Sequence, residues 1–148
     1  MKNISVEVIS KKPKMFKGIP RVDGKITIND FWETFEMHLN WWSQADYERQ
    51  WKEGLERIKT HDTSCLVTRI QDPNKGPFLD WWLLYKEGNK IFIRNYVLFR
   101  EYYDERIGNK PFTVENCYDF IWPKEPKEFE PGREMSEWEV ELEDRKDT

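Results

Sequence analysis

Hydrophobic and polar positions alternate in several short runs and take a helical period in one longer run, and this contrast predicts most of the elements. From Asn3 to Ser10, Ile4, Val6 and Val8 alternate with Ser5, Glu7 and Ile9, the pattern of a short half-buried strand. Lys11 to Gly24 carries Pro13, Gly18, Pro20 and several lysines, which predicts a loop. Between Lys25 and Trp42 strand and helix compete. Phe31, Phe35, Met37 and Leu39 fall on one side and Trp32, Thr34, Glu36 and His38 on the other, which favours a strand with one solvated face.

Ser43 to Thr60 is predicted as the main helix. Tyr47, Trp51, Leu55 and Ile58 recur at helical spacing, Ser43 can cap the first turn, and Asp46 three residues on completes a pattern like a capping box. Glu48 with Lys52, and Glu53 with Arg57, pair four residues apart on the wet face. Gly54 costs such a helix about 1 kcal/mol relative to Ala, so a close neighbour is expected there.

Beyond the helix, Ser64 to Ile70 reads as a strand and ends in the turn formers Gln71 to Pro77. Phe78 to Lys86 and Lys90 to Phe99 flank Glu87-Gly88-Asn89, which predicts a hairpin. Arg100 to Gly108 is a loop or a short helix. Thr113 can cap a brief helix reaching Ile121, with Glu115 in its first turn, and Trp122 to Glu134 is a proline-bearing connection. Ser136 to Glu143 alternates Trp138, Val140 and Leu142 with Glu137, Glu139, Glu141 and Glu143, a last strand with an all-glutamate outer face. Such a face either protects a sheet edge, with Lys90 or Arg94 relieving the repulsion, or meets a basic partner. Asp144 to Thr148 reads as a frayed tail. Strands in hairpin order with few helices predict one α+β domain over residues 1–148. It would be built on an antiparallel sheet, with one main helix at about 43–60 and short extra helices.

Composition changes this picture in one respect. Of the 148 residues 35% are charged and 38% hydrophobic, yet 16% are aromatic, including eight Trp. Disordered chains have few aromatics, so the mean hydropathy of -0.90 describes a charged surface around an aromatic core. At this length folding hides about 68–70% of the unfolded chain's surface, which supports a core without staples. Cys65 and Cys117 match neither a disulfide framework nor a zinc ligand set and are expected to be buried thiols. No run approaches the roughly 18 apolar residues of a membrane span, and Met1 to Ser10 lacks signal-peptide features, so a soluble, cytoplasmic protein is expected.

Charge is uneven. Met1 to Lys25 holds seven bases against two acids, a net +5, whereas Lys124 to Thr148 holds five bases against ten acids, a net -5. The overall -4 argues against a dedicated nucleic-acid binder. The two ends could attract each other across the fold, form a solvated surface, or present an acidic face to a basic protein.

Catalytic signals are sparse. The glycines form neither a dinucleotide fingerprint nor a phosphate loop, and a nucleophile elbow is missing. His38 and His61 are the whole histidine supply. His61, Asp62, Ser64 and Cys65 carry the residue types of a small hydrolase, but neighbours on an extended segment point to opposite faces, and buried packing explains Cys65 more simply. No catalytic residue, cofactor or metal site is therefore expected. The pairs Trp41-Trp42 and Trp81-Trp82 would each send one ring to the core and the other outward or beneath a covering element. An outward Trp could serve a small-ligand or carbohydrate-binding module.

The run Trp41-Trp42-Ser43, then Gln50 to Ile58, then Ser64 to Thr68 resembles immunity proteins of bacterial contact-dependent growth inhibition systems, the CdiI type. Trp81 to Lys86, Ile93 to Asn95, Pro111 to Ile121 and Ser136 to Trp138 agree, so the resemblance covers most of the chain. It implies a non-catalytic cytoplasmic protein that binds the toxic C-terminal domain of a cognate effector of the CdiA type, usually a nuclease. An acidic inhibitor would be steered onto the basic substrate groove of such a toxin, without contacting nucleic acid or membrane itself. The lysine-rich N-terminal segment departs from a uniformly acidic inhibitor. Toxin-binding residues are expected on the acidic, aromatic-bearing connections: Glu101, Tyr102, Tyr103, Asp104 and Glu105, with Glu125, Glu128, Glu130 and Glu134. An ordinary solvated loop surface is the competing explanation for all of them.

Overall fold

The computed structural model, which describes residues 3–142, holds two four-stranded antiparallel sheets, in contact through the rings of Phe31 and Trp138, and a small two-stranded one. The elements run β1 (Ile4–Val8), β2 (Lys14–Phe16), β3 (Ile19–Ile28), β4 (Phe31–His38), α1 (Gln44–Arg57), β5 (Thr63–Ile70), β6 (Leu79–Glu87), β7 (Lys90–Leu98), α2 (Arg100–Arg106), β8 (Glu128–Glu130), β9 (Arg133–Glu134) and β10 (Trp138–Glu141). The architecture is α+β. The expected tail, Asp144 to Thr148, and Glu143 lie outside the described residues.

The first sheet is centred on β3, with β4 along one edge and β1 and β2 end to end along the other. The segment expected as a loop, Lys11 to Gly24, is therefore corrected: it supplies the β2–β3 hairpin and half of β3. Lys17 and Gly18 both take positive φ, 50° and 78°, which is the two-residue turn whose twist matches a hairpin. Prolines disguise it in the sequence, but Pro13 precedes β2, and Pro20 withholds at most one ladder bond near the start of β3. The strand expected within Lys25 to Trp42 forms as β4, although His38 on its outer side is buried.

The second sheet has the order β10-β7-β6-β5. Its centre is the expected hairpin, registered from Glu87 opposite Lys90 to Leu79 opposite Leu98 and reversed at Gly88, whose φ is 61°. One face carries Trp82 beneath the first sheet, where the rings of Phe31, Trp138 and Trp82 follow at centroid separations of 4.7 and 5.3 Å. The other face carries Trp81, which meets Phe112 and Trp122 at 5.4 and 5.7 Å. Both members of this Trp pair are thus enclosed, because both sheet faces are covered.

Helix α1 starts as its sequence requires. The Ser43 hydroxyl accepts from the Asp46 N–H at 3.1 Å, and the Asp46 carboxylate accepts from the Ser43 N–H at 2.9 Å. The helix packs along the edge of β5 rather than over a sheet face. Gln50 donates to the Cys65 carbonyl and accepts from the Val67 N–H, both at 2.7 Å, while Trp51 donates to the Val67 carbonyl at 2.7 Å. The Tyr47 hydroxyl donates to the His38 carbonyl at 2.9 Å and accepts from the Ile70 N–H at 3.1 Å, tying the end of β4 to β5. These side chains take the place of a missing neighbour strand, so the buried edge keeps its backbone groups paired. Gly54 has the close neighbour expected, since a Cβ there would collide with the Cys65 carbonyl oxygen.

Three expectations downstream are revised. The brief helix from Thr113 to Ile121 shrinks to a 3-10 turn at Cys117–Phe120, because Thr113 and Asn116 bond each other's backbone N–H groups at 2.7 and 3.1 Å and close a turn first. The connection Trp122 to Glu134 contains the β8–β9 hairpin, which reverses at Gly132 with φ 77°. Within the expected last strand, Trp138–Glu141 is extended, and two of the expected strand's glutamates meet the basic residues predicted for them. Glu137 meets Arg94 at 2.7 Å, and Glu139 meets Lys90 at 3.6 Å. Cys65 and Cys117 are both buried, their sulfurs 3.7 Å apart, and burial pushes the Cys65 thiol up. Among the described residues no helix is long and apolar enough to cross a membrane.

Candidate functional site

The acidic residues expected to bind a partner fall on two neighbouring elements. Helix α2 begins where β7 leaves its sheet. Tyr103 is turned inward with 1% of its surface exposed and Ile107 follows it into the core, so the pair fastens the helix. Burial raises the Tyr103 hydroxyl to about 12. Glu101, Tyr102, Asp104 and Glu105 are left on the outside. Of the expected contact residues, Tyr103 alone does not reach the surface, and its role is to hold the others.

Arg106 joins α2 to the second element. Its guanidinium lies 4.3 Å from the centre of the Trp122 ring and donates to Glu125 at 2.9 Å. The Glu125 carbonyl in turn accepts from the buried Arg94 at 2.7 Å, which holds the start of the connection against the sheet. Glu128, Glu130 and Glu134 follow on the exposed β8–β9 hairpin. Glu130 pairs with Arg133 at 3.2 Å and Glu134 with Lys127 at 3.6 Å, pairs whose exposure makes them weak and exchangeable. Glu101, Asp104, Glu105 and Glu128 have no ion-pair partner among the described residues.

A hollow of about 390 Å³ opens beside these elements, lined by Glu33, Trp82, Asn95, Tyr96, Val97, Met135, Ser136 and Trp138. It exists because β10 pairs with β7 only from Lys90 to Ile93, whereas β6 pairs with it as far as Leu98. The outer edge of β7 from Arg94 to Leu98 has no strand partner among the described residues. Met135, next to the β8–β9 hairpin, accepts a hydrogen bond from the Tyr96 hydroxyl at 3.3 Å and closes one end. Burial and the nearby Asp80 carboxylate raise Glu33, which lines the hollow from β4, and burial raises Asp80 itself on β6, so two carboxyls in this region ionise reluctantly.

Sequence reasoning named Tyr102, which is 59% exposed, but passed over the rest of the apolar surface: Val97 is 40% exposed and Phe99 62%. Val97 and Phe99 close an aromatic-rich strand run, so they read as core, and the only available signal was that Phe99 stands where a helix start favours a polar cap.

The competing sites do not assemble. His61 is exposed, with its Nδ1 2.9 Å from the Thr60 hydroxyl, whereas Cys65 is buried against Cys117, so the hydrolase arrangement is overturned. Among the described residues no three His, Cys, Asp or Glu side chains converge as metal ligands. Of the Trp pairs, only Trp41 projects outward, at 44% exposure beside a hollow of about 410 Å³ shared with Asp104 and Lys110, while Trp42 is buried.

Residues 37–147 match the family described as CdiI N-terminal domain. The chain is 32% identical over 118 residues to the immunity protein CdiI of Enterobacter cloacae subsp. cloacae, a match that covers 79% of this chain and 77% of that protein. Its structure is similar to a chain of the CdiA-CT/CdiI toxin and immunity complex from Enterobacter cloacae, with a TM-score of 0.75 and 27% identity over 94% of this chain and 90% of that one. The family model, the curated relative and the structural likeness agree: the chain belongs to the CdiI family of immunity proteins.

Proposed function

We propose that this protein acts in the cytoplasm as a stoichiometric inhibitor, binding the toxic C-terminal domain of a cognate effector of the CdiA type, and that this domain is a nuclease with a basic substrate surface. The observation that carries the reading is the likeness, over 94% of the chain, to a chain from a toxin and immunity complex. The binding surface is formed by Glu101, Tyr102, Asp104 and Glu105 on α2, with Glu125, Glu128, Glu130 and Glu134 beside them and Tyr103 positioning the helix. Acidic groups on exposed, weakly paired elements accelerate association with a basic domain and compete with the phosphate backbone for its cations. Inhibition by coverage requires no catalytic group, no cofactor and no direct contact with nucleic acid or membrane.

Co-expression with the toxin domain encoded alongside it tests the proposal. Growth should be rescued, the two chains should co-purify as a complex, and the isolated toxin should degrade nucleic acid until the inhibitor is added. A toxin that kills cells despite abundant inhibitor, with no complex formed, would overturn it.

A further inference from the structure

We infer that Phe99 is the apolar anchor of the toxin contact, inserting into an apolar recess ringed by basic groups on the partner. The inference rests on the proposed function and names the centre of that surface. Phe99 occupies the N-cap of α2, where Ser, Thr, Asp or Asn would satisfy an orphan N–H, and it makes no capping hydrogen bond. Its ring is 62% exposed and meets Phe78 edge-on at 5.1 Å. Val97 stands two residues earlier on the same side of the extended chain and Tyr102 three residues later on the helix, so the three make one apolar patch. A position that gives up a cap to expose a large aromatic ring weakens the free protein and gains only when something covers it.

Charge selects the occupant. Glu101, Asp104 and Glu105 stand on the helix that carries Tyr102 without ion-pair partners among the described residues, and they outnumber the nearby cations, Arg100 on the same helix and Arg69, whose guanidinium lies 4.3 Å from the Phe78 ring, since Arg106 is held by Glu125 and Trp122. A second copy in a two-fold contact would bring these carboxylates against their equivalents, and an anionic membrane would be repelled. A basic protein surface is attracted. Central aromatics inside a charged rim carry most of the energy in such interfaces.

Phe99→Ser separates binding from folding, because serine restores the cap. The test measures, on the purified full chain, the Tm, the oligomeric state and the affinity for the cognate toxin domain, with Ile9→Ser as the control for loss of an exposed apolar side chain on the first sheet. Phe99→Ser is expected to keep or raise Tm while weakening toxin binding about thirtyfold or more, chiefly through faster dissociation, and Ile9→Ser to bind like the wild type. Wild-type affinity in Phe99→Ser would overturn the anchor while leaving the proposed function standing. A wild-type dimer that Phe99→Ser dissolves would also overturn it, in favour of a self-contact. No binding of the toxin domain by the wild type would instead remove the proposed function and the anchor with it.

Discussion

Gln50 shows how much of this fold depends on single side chains that no pattern announces. Its amide is fully buried and serves both a carbonyl and an N–H on the edge of β5, at 2.7 Å each. In the sequence it is a polar residue among the polar positions of a helix, and its burial follows only from where β5 runs. Gly54 was legible for the opposite reason: a helix-weakening residue inside a strong helix implies a neighbour, and that neighbour is the same strand. Replacing Gln50 by Leu keeps the volume but strands two buried backbone groups, at about 1–3 kcal/mol each. Urea denaturation should show the loss as a lower midpoint with an unchanged slope. Wild-type stability in Gln50→Leu would mean that the β5 edge finds other partners.

At the scale of elements, the parts read correctly were those whose own residues determine them: the capping box of α1, the Gly88 hairpin, and the alternation around Trp138. The β2–β3 hairpin was hidden because its turn lies among lysines and prolines, and the turn before the 3-10 segment is made by a pairwise bond between Thr113 and Asn116. His38 belongs here as well, since it joins the end of β4 to the segment after β5, its Nδ1 lying 3.1 Å from the Gln71 amide. Burial, reinforced by Arg69, holds its imidazole below the ordinary value, with Glu36 opposing the shift. The unfolded chain therefore takes up this proton first, so the stability contributed by neutral His38 is complete above about pH 6.5 and is lost as the pH falls below it. Glu33 and Asp80 act in the other direction: their raised carboxyls hold protons more tightly in the folded state, so acidification favours folding through them. Comparing His38→Gln with the wild type isolates the histidine. Unfolding midpoints measured from about pH 7 to about pH 5 should fall more steeply in the wild type, and parallel curves would show that His38 is not held neutral.

Across the whole molecule, no ion pair among the described residues joins the bases of the first 25 residues to the acids that follow Lys124. Lys11, Lys12, Lys14 and Lys17 stand on and around the exposed β2–β3 hairpin, where Lys17 and Arg21 lie over Phe16 at 5.5 and 4.1 Å. The acidic residues gather on α2 and the β8–β9 hairpin, and the sequence could not show which would remain unpaired, since Glu125 and Arg106 meet across 19 positions. A basic toxin entering this field is drawn to the acidic side and repelled by the other, which makes approach direction measurable. Neutralising Glu101, Asp104 and Glu105 to their amides should slow association about tenfold at low salt and change dissociation little, with the difference closing as salt is raised past the Debye range. Neutralising Lys11, Lys12 and Lys14 to Gln should leave association unchanged or faster, because it removes charge of the toxin's own sign. Stopped-flow association rates over a salt series read both at once. If the lysine variant slows association instead, the toxin docks on the first sheet and the acidic surface is only a solvated face; if the carboxylate variant alone is slow, the contact lies where α2 leaves β7.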